Sequence, residues 1–171
     1  MDFLRYPIGK FSPTTDISAG QRAEWMATLR DFPAIFRTAT EALTATDLAT
    51  PYRPDGWTTR QVVHHVADSH TNAYVRFRWA LTEDSPTIKA YFEELWAELS
   101  DAKSADIAPS LTILDGVHAR WVLLLNSMTE SDWKRNFFHP ESQKLWSLEQ
   151  VLGLYAWHCM HHLGHIKLVR P

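Results

Sequence analysis

The residues best suited to chemistry lie in one stretch near the C-terminus, Trp157-His158-Cys159-Met160-His161-His162-Leu163-Gly164-His165. Four of the nine histidines in the chain fall here, and no Asp, Glu, Lys or Arg interrupts the run from Val151 to His165. On a helix, residues four apart stack one turn above another. That spacing yields two ligand pairs, His158/His162 and His161/His165. Two imidazoles placed this way can hold one divalent ion, as the histidines of an H-E-x-x-H helix do. A third ligand must then come from another part of the chain.

The helical angle separates the two pairs. At about 100° per residue, Leu148, Val151, Tyr155, His158, His162, Ile166 and Val169 share a stripe roughly 80° wide. Such a stripe is the core side of an amphipathic helix. His158 and His162 lie mid-stripe, with His165 close beside them. His161 stands about 100° from His162, at the boundary. The inward pair is therefore His158 with His162. The competing reading is a set of core histidines bonded to backbone or water. Burying several neutral imidazoles without partners is unfavourable, so the clustering favours ligation.

The rest of the chain supplies the scaffold. Residues 1–15 contain Pro7, Gly9 and Pro13 and read as an irregular arm over the body. Ser18 to Leu43 carries Trp25, Leu29, Phe32, Phe36 and Leu43 at helical spacing, with Pro33 expected to kink or divide the helix. After a turn at Pro51–Gly56, Thr58-Thr59-Arg60-Gln61 has the capping-box pattern. It opens a helix from Thr59 to about Leu81. Val62, Val66, Ala73, Phe77 and Ala80 form its core stripe, and His65 sits on the shoulder of that stripe. His64 points away and is expected to be exposed. A polar line, Gln61, His65, Ser69, Asn72 and Arg76, runs beside the apolar one, as in a cleft wall or an ordinary solvated face.

Glu83 to Ile107 reads as a long crossover, with an amphipathic segment from Ala90 to Leu99. Pro109 begins a third long helix reaching about Met128. Leu111, Leu114, His118, Trp121, Val122 and Leu125 mark its buried face, and His118 is read there as structural. Phe137 to Glu141 reads as a loop, with strand-like pairing left open. Ser147 and Gln150 form a second capping box for a last helix reaching Val169. The result is one all-α domain over residues 1–171, a four-helix bundle with at least one long crossover and no convincing sheet.

Bundles build metal sites from facing helices. His65 on the second long helix can meet His158 and His162 on the last. Three neutral imidazoles leave coordination positions open, the catalytic pattern, whereas a closed four-ligand site is the structural one. Such an ion activates water or a thiol. Imidazole alone does not choose among zinc, nickel, copper and iron. Ser69, Asn72 and Arg76 are candidates to orient a polar or anionic substrate. Asp68 is weighed as an acceptor for a ligand N–H against a plain exposed helix residue. His64, His70, His118, His161 and His165 receive no chemical role from the sequence.

Composition excludes several other classes. The net charge is −3, so there is no basic footprint for nucleic acid. No apolar run is long enough to span a membrane. The single cysteine, Cys159, excludes an internal disulfide and fits a reducing cytoplasm. As a nucleophile it is poorly placed, mid-helix and off the stripe. No G-x-S-x-G, phosphate-binding Gly-rich loop or H-E-x-x-H occurs.

Two long segments carry a family resemblance. Gly56-Trp57-Thr58-Thr59-Arg60-Gln61-Val62-Val63-His64-His65, together with Tyr155-Ala156-Trp157-His158-Cys159-Met160-His161-His162, resembles the DinB superfamily. The chain is most similar to the YfiT-like branch, through Arg5-Tyr6-Pro7-Ile8-Gly9, Leu81-Thr82-Glu83-Asp84, Trp96-Ala97-Glu98-Leu99 and Phe138-His139-Pro140-Glu141 as well. The resemblance implies a four-helix bundle and a metal triad at His65, His158 and His162. It implies zinc or nickel as the metal, a homodimer, and a metal-dependent hydrolase. It also implies an alternative, a transferase that joins bacillithiol or a similar low-molecular-weight thiol to an electrophile. A third possibility is a non-catalytic module stapled by the ion. Phe92 departs from the aspartate expected in a Tyr-Asp-Glu segment of this branch.

Overall fold

The computed structural model describes residues 2–170. Four long helices form the body: α2 (Ala19–Glu41), α4 (Thr59–Thr82), α7 (Ala108–Asn126) and α9 (Leu148–Val169). Short elements join them. These are α1 (Asp2–Arg5) in the N-terminal arm, α3 (Ala45–Ala49), α5 (Glu93–Trp96) and α6 (Ser100–Ser104) in the crossover, α8 (Glu130–Lys134), and strands β1 (Asn136–His139) and β2 (Lys144–Ser147). Helices α2 and α4 each pack on both α7 and α9, so the four close into a bundle around Leu29, Phe32, Phe36, Phe77, Trp121 and Leu152, all essentially inaccessible.

The expected caps form. Thr58 and Gln61 bond reciprocally at the start of α4, as Ser147 and Gln150 do at α9, each satisfying two otherwise orphaned donors. Because α4 begins at a fixed residue, the angular position of His65 around the bundle is fixed as well.

Four sequence expectations are corrected. The arm is not wholly irregular, since residues 2–5 complete one helical turn. Pro33 does not divide α2, which runs through it, and its ring is buried. Its missing N–H leaves the Leu29 carbonyl, four residues back, without its helical donor. Residues 136–147 form an antiparallel hairpin in the register Asn136↔Ser147 to His139↔Lys144. Phe138 N–H donates to the Pro86 carbonyl and the Phe138 carbonyl accepts from Ile88 N–H, so the crossover extends the pairing. Finally, the segment 90–99 does not bury its apolar face: Phe92, Leu95 and Leu99 are exposed. The strand-like pairing that Phe137 to Glu141 allows is thus realised with residues 144–147 as its partner, a four-residue strand too short for a period-2 pattern to mark in sequence.

Glycines let α9 sit close to two neighbours. A Cβ on Gly153 would stand 2.9 Å from the Trp25 ring of α2, and one on Gly164 would stand 2.7 Å from Cγ of Pro7 in the arm. Across the bundle, the buried Arg22 of α2 pairs with the buried Glu149 of α9 at 3.3 Å and with Glu130 of α8 at 2.5 Å.

Candidate metal centre

Helices α4 and α9 bring His65, His158 and His162 together. Each offers one ring nitrogen, and these atoms lie within 4.8 Å of one another. Nε2 of His158 and Nε2 of His162 stand 3.2 Å apart. The His65 ring is 5.5 Å from that of His158 and 4.9 Å from that of His162, centre to centre. Two nitrogens each about 2.0–2.1 Å from a tetrahedral ion stand roughly 3.3 Å apart. The observed gap between His158 and His162 therefore fits a shared ion.

Burial sets the charge state of the three rings. It lowers the His65 pKa to about 4, with the charge of His165 adding to the effect. It drives His158 and His162 well below the ordinary histidine value, with neighbouring histidines adding to it. All three are therefore neutral near pH 7, the state in which imidazole has a lone pair to give.

The trio separates two cavities. On one side is a cleft of about 680 Å³ lined by Arg5, Tyr6, Tyr52 and Arg53 together with His65 and His162. On the other is a cavity of about 220 Å³ lined by Ser69, Arg76, Tyr91 and Tyr155 with His65 and His158. His65 borders both, and His65 and His158 are only half-buried.

Of the proposed pocket residues, Ser69 and Arg76 line the smaller cavity. Ser69 Oγ is 3.2 Å from the Tyr155 hydroxyl. Arg76 is 8% exposed, lies over the Tyr91 ring and leaves its Nε without a partner. Among the described residues, no carboxylate pairs with it. Asn72 does not belong with them. Its Nδ2 donates back to the Asp68 carbonyl at 2.9 Å, and it lines neither cavity. A side-chain amide one turn from a helical carbonyl can donate back to it, which a polar stripe in sequence does not reveal. His64 is likewise corrected: it is buried, with Nδ1 2.8 Å from Ser110 Oγ of α7. Helix α4 packs on α7 as well as α9, so two of its faces are covered. Asp68 is half-buried, and burial followed by Asp101 raises its carboxyl pKa to about 6.

Three histidines left without a role lie directly against the trio or one step behind it. His70 Nε2 is 3.0 Å from His158 Nδ1, and its Nδ1 is 2.6 Å from His118 Nε2. His165 Nδ1 is 3.2 Å from His162 Nδ1. Sequence spacing placed His118 and His165 on inward stripes, but which helix each would meet depends on packing. The aromatic and cationic residues of the larger cleft come from the arm and the Pro51–Gly56 turn, segments with no periodicity to read.

Fold and site thus define a four-helix bundle with a three-histidine centre open to cavities on both sides. A family model for the DinB superfamily matches residues 28–166, and the chain belongs to that family. Its relatives include "Putative metal-dependent hydrolase YfiT" of Bacillus subtilis (strain 168), 48% identical over 95% of this chain and 92% of that protein. Another is "Putative metal-dependent hydrolase GK0616" of Geobacillus kaustophilus (strain HTA426), 45% identical over 99% of this chain and 96% of that one. The solved structure of Bacillus subtilis YfiT, described as "a probable metal-dependent hydrolase with an unusual four-helix bundle topology", superposes with a TM-score of 0.95 at 47% identity, covering 98% of this chain and 95% of that one.

Proposed function

We propose that this chain is a metal-dependent hydrolase of the DinB/YfiT type, with His65, His158 and His162 holding one divalent ion. The observation that carries the reading is the convergence of three neutral imidazoles within 4.8 Å where two cavities meet. An ion held there supplies Lewis acidity and a nucleophile, water or thiol, deprotonated near neutral pH. The chain supplies the positioning. Arg76 offers a guanidinium edge without a carboxylate partner, suited to a carboxylate or similar anion. Ser69 and Tyr155 offer hydroxyls beside it. The open cavities argue against a site that only staples the bundle, since structural sites are closed by protein ligands.

The two-cavity layout supports a second reading, thiol transfer. A hydrolase needs room for one organic substrate and water. A transferase needs room for two organic molecules meeting at one centre, and the larger cleft with the smaller cavity provides two such volumes. The thiol in this reading is a low-molecular-weight one of the bacillithiol kind. We assign zinc or nickel as the ion on the strength of the family resemblance, since imidazole ligands alone would accept copper or iron as well, and a cytoplasmic homodimer as the working form. The family resemblance supports the dimer. One buried free cysteine and the absence of a membrane-spanning helix among the described residues fit the compartment.

Metal analysis of protein purified without chelator tests the site. One equivalent of a transition metal is expected in the wild type and none in His162→Ala; equal metal in both overturns the assignment. A panel of esters, amides and electrophiles, each with and without bacillithiol, glutathione and mycothiol, then separates the chemistries. Thiol-independent turnover supports the hydrolase, and turnover that requires a thiol replaces it with the transferase.

A further inference from the structure

The nitrogens that face away from the trio form two lines, and each line ends on a main-chain carbonyl. One runs from His158 Nδ1 to His70 Nε2 at 3.0 Å, from His70 Nδ1 to His118 Nε2 at 2.6 Å, and from His118 Nδ1 to the Leu29 oxygen at 2.6 Å. The other runs from His162 Nδ1 to His165 Nδ1 at 3.2 Å, and from His165 Nε2 to the Arg5 oxygen at 3.2 Å.

A carbonyl only accepts, and a neutral imidazole has one N–H and one bare nitrogen. The Leu29 oxygen therefore holds the hydrogen of His118 on Nδ1. His118 Nε2 is then bare and accepts from His70 Nδ1–H. His70 Nε2 is bare in turn and accepts from His158 Nδ1–H. That leaves Nε2 of His158 with its lone pair free. On the second line, the Arg5 oxygen holds the hydrogen of His165 on Nε2. His165 Nδ1 accepts from His162 Nδ1–H, and Nε2 of His162 is free as well. The two freed nitrogens are the pair that face each other at 3.2 Å. Without a cation between them, two lone pairs at that distance repel.

Both terminal carbonyls are available because helices leave them so. The Leu29 oxygen lost its helical donor to Pro33, which has no N–H. Arg5 ends α1, where carbonyls lack intrahelical partners. The intermediate rings are buried, which favours their neutral forms: His70 lies well below the ordinary histidine pKa, and His118 and His165 at about 4, burial being the main cause for each.

We propose that His70, His118 and His165 are positioning residues whose hydrogen bonds, anchored on the Leu29 and Arg5 carbonyls, lock His158 and His162 in the Nδ1–H tautomer and aim both Nε2 lone pairs at one ion. The inference rests on the three-histidine reading of the site. It also argues against a second ion at His161, His162 and His165, whose ring nitrogens again lie within 4.8 Å of one another. His162 cannot give Nε2 to one ion and Nδ1 to another without becoming an imidazolate.

Long-range ¹⁵N–¹H NMR of the metal-free wild type near neutral pH reads the tautomers directly. Nδ1–H is expected at His70, His118, His158 and His162, and Nε2–H at His165. An Nε2–H at His158 or His162 overturns the proposal. Zinc affinity, measured by chelator competition, is the second readout. His118→Leu and His165→Leu are each expected to weaken it roughly 10- to 100-fold, whereas His118→Gln, which retains a donor and an acceptor, restores most of it. Wild-type affinity in His118→Leu overturns the proposal, as do two zinc ions per chain. The tautomer experiment uses no metal, so it is decided separately from the site assignment. Correct tautomers with neither zinc nor nickel bound would remove the proposed function and leave the hydrogen-bonded lines standing. Stoichiometric zinc with Nε2–H at His158 would do the reverse.

Discussion

Leu29 and His118 are joined because a proline four residues on leaves the Leu29 carbonyl without its helical donor: that oxygen accepts from His118 Nδ1 at 2.6 Å. Pro33→Ala would return an N–H to the helix, where it competes with the imidazole for the same oxygen. A proline in a helix interior is about 3 kcal/mol less favourable than alanine, offset here by loss of a buried ring. The variant is expected to keep or gain unfolding free energy while losing zinc affinity by a few fold. Chemical denaturation and chelator competition on the same preparation check the two halves. Unchanged affinity would mean that His118 holds the carbonyl against the restored N–H.

Gly164 and Pro7 bring the arm to α9. A Cβ at position 164 would meet Pro7 Cγ at 2.7 Å and Pro7 Cβ at 3.1 Å, so Gly164→Ala must displace the arm. Overpacking of this kind commonly costs about 1–3 kcal/mol, against a gain of up to about 1 kcal/mol from replacing glycine in a helix. The arm carries the Arg5 carbonyl that His165 addresses. We expect modestly lower stability and weaker zinc binding, read by thermal melting with and without zinc. Gly116→Ala is the control, because nothing lies within 4 Å of a Cβ there; it should melt no lower than the wild type.

Sequence periodicity reached the bundle because helical spacing is a local property. Apolar stripes and two capping boxes place α4 and α9 to within a residue or two. It also placed His158 and His162 on the inward side, since one helix determines their relation. The meeting of His65 with that pair was inferred from bundle geometry. The line from His70 to His118 was not legible, because it crosses three helices and ends on a carbonyl exposed by a proline. From sequence, Pro33 signals a kink or a division, and only the structure shows a continuous helix with one acceptor released. Asn72 and His64 differ from expectation for a related reason: a helical wheel gives an angle but does not show which neighbour covers it.

Cys159 is fully buried, and burial raises its thiol well above the ordinary cysteine pKa. A thiol in that state is a poor nucleophile. Native protein is expected to resist a thiol-reactive reagent and to react with one equivalent on unfolding. Cys159→Ala is expected to retain metal and activity, with a stability loss of about 1–2 kcal/mol from the small cavity. Rapid labelling of the native state, together with loss of turnover, would return Cys159 to consideration as a nucleophile.

Acid should unfold the metal-free protein over a narrow range. Burial, the largest cause in each case, lowers His65, His118, His161 and His165 to about 4 from 6.5, and holds His70, His158 and His162 well below 6.5. Above pH 6.5 both folded and unfolded chains carry these rings neutral, and they contribute no pH dependence. Between 6.5 and about 4 the unfolded chain takes up protons that the folded chain refuses. The unfolded state then binds more protons, so stability falls as pH falls. Each refused proton contributes about 1.4 kcal/mol per pH unit. Even three of these seven rings held neutral across one unit would remove about 4 kcal/mol, a large part of the roughly 5–15 kcal/mol that keeps a domain folded. The metal-free midpoint is therefore expected near pH 5, with uptake of several protons. Zinc binds only the neutral ligands and so favours the folded state by mass action, moving the midpoint to lower pH until protons displace it. Circular dichroism against pH, with and without zinc, measures both midpoints. A metal-free protein stable to pH 4, or coincident curves with and without zinc, would contradict a buried neutral cluster that holds an ion.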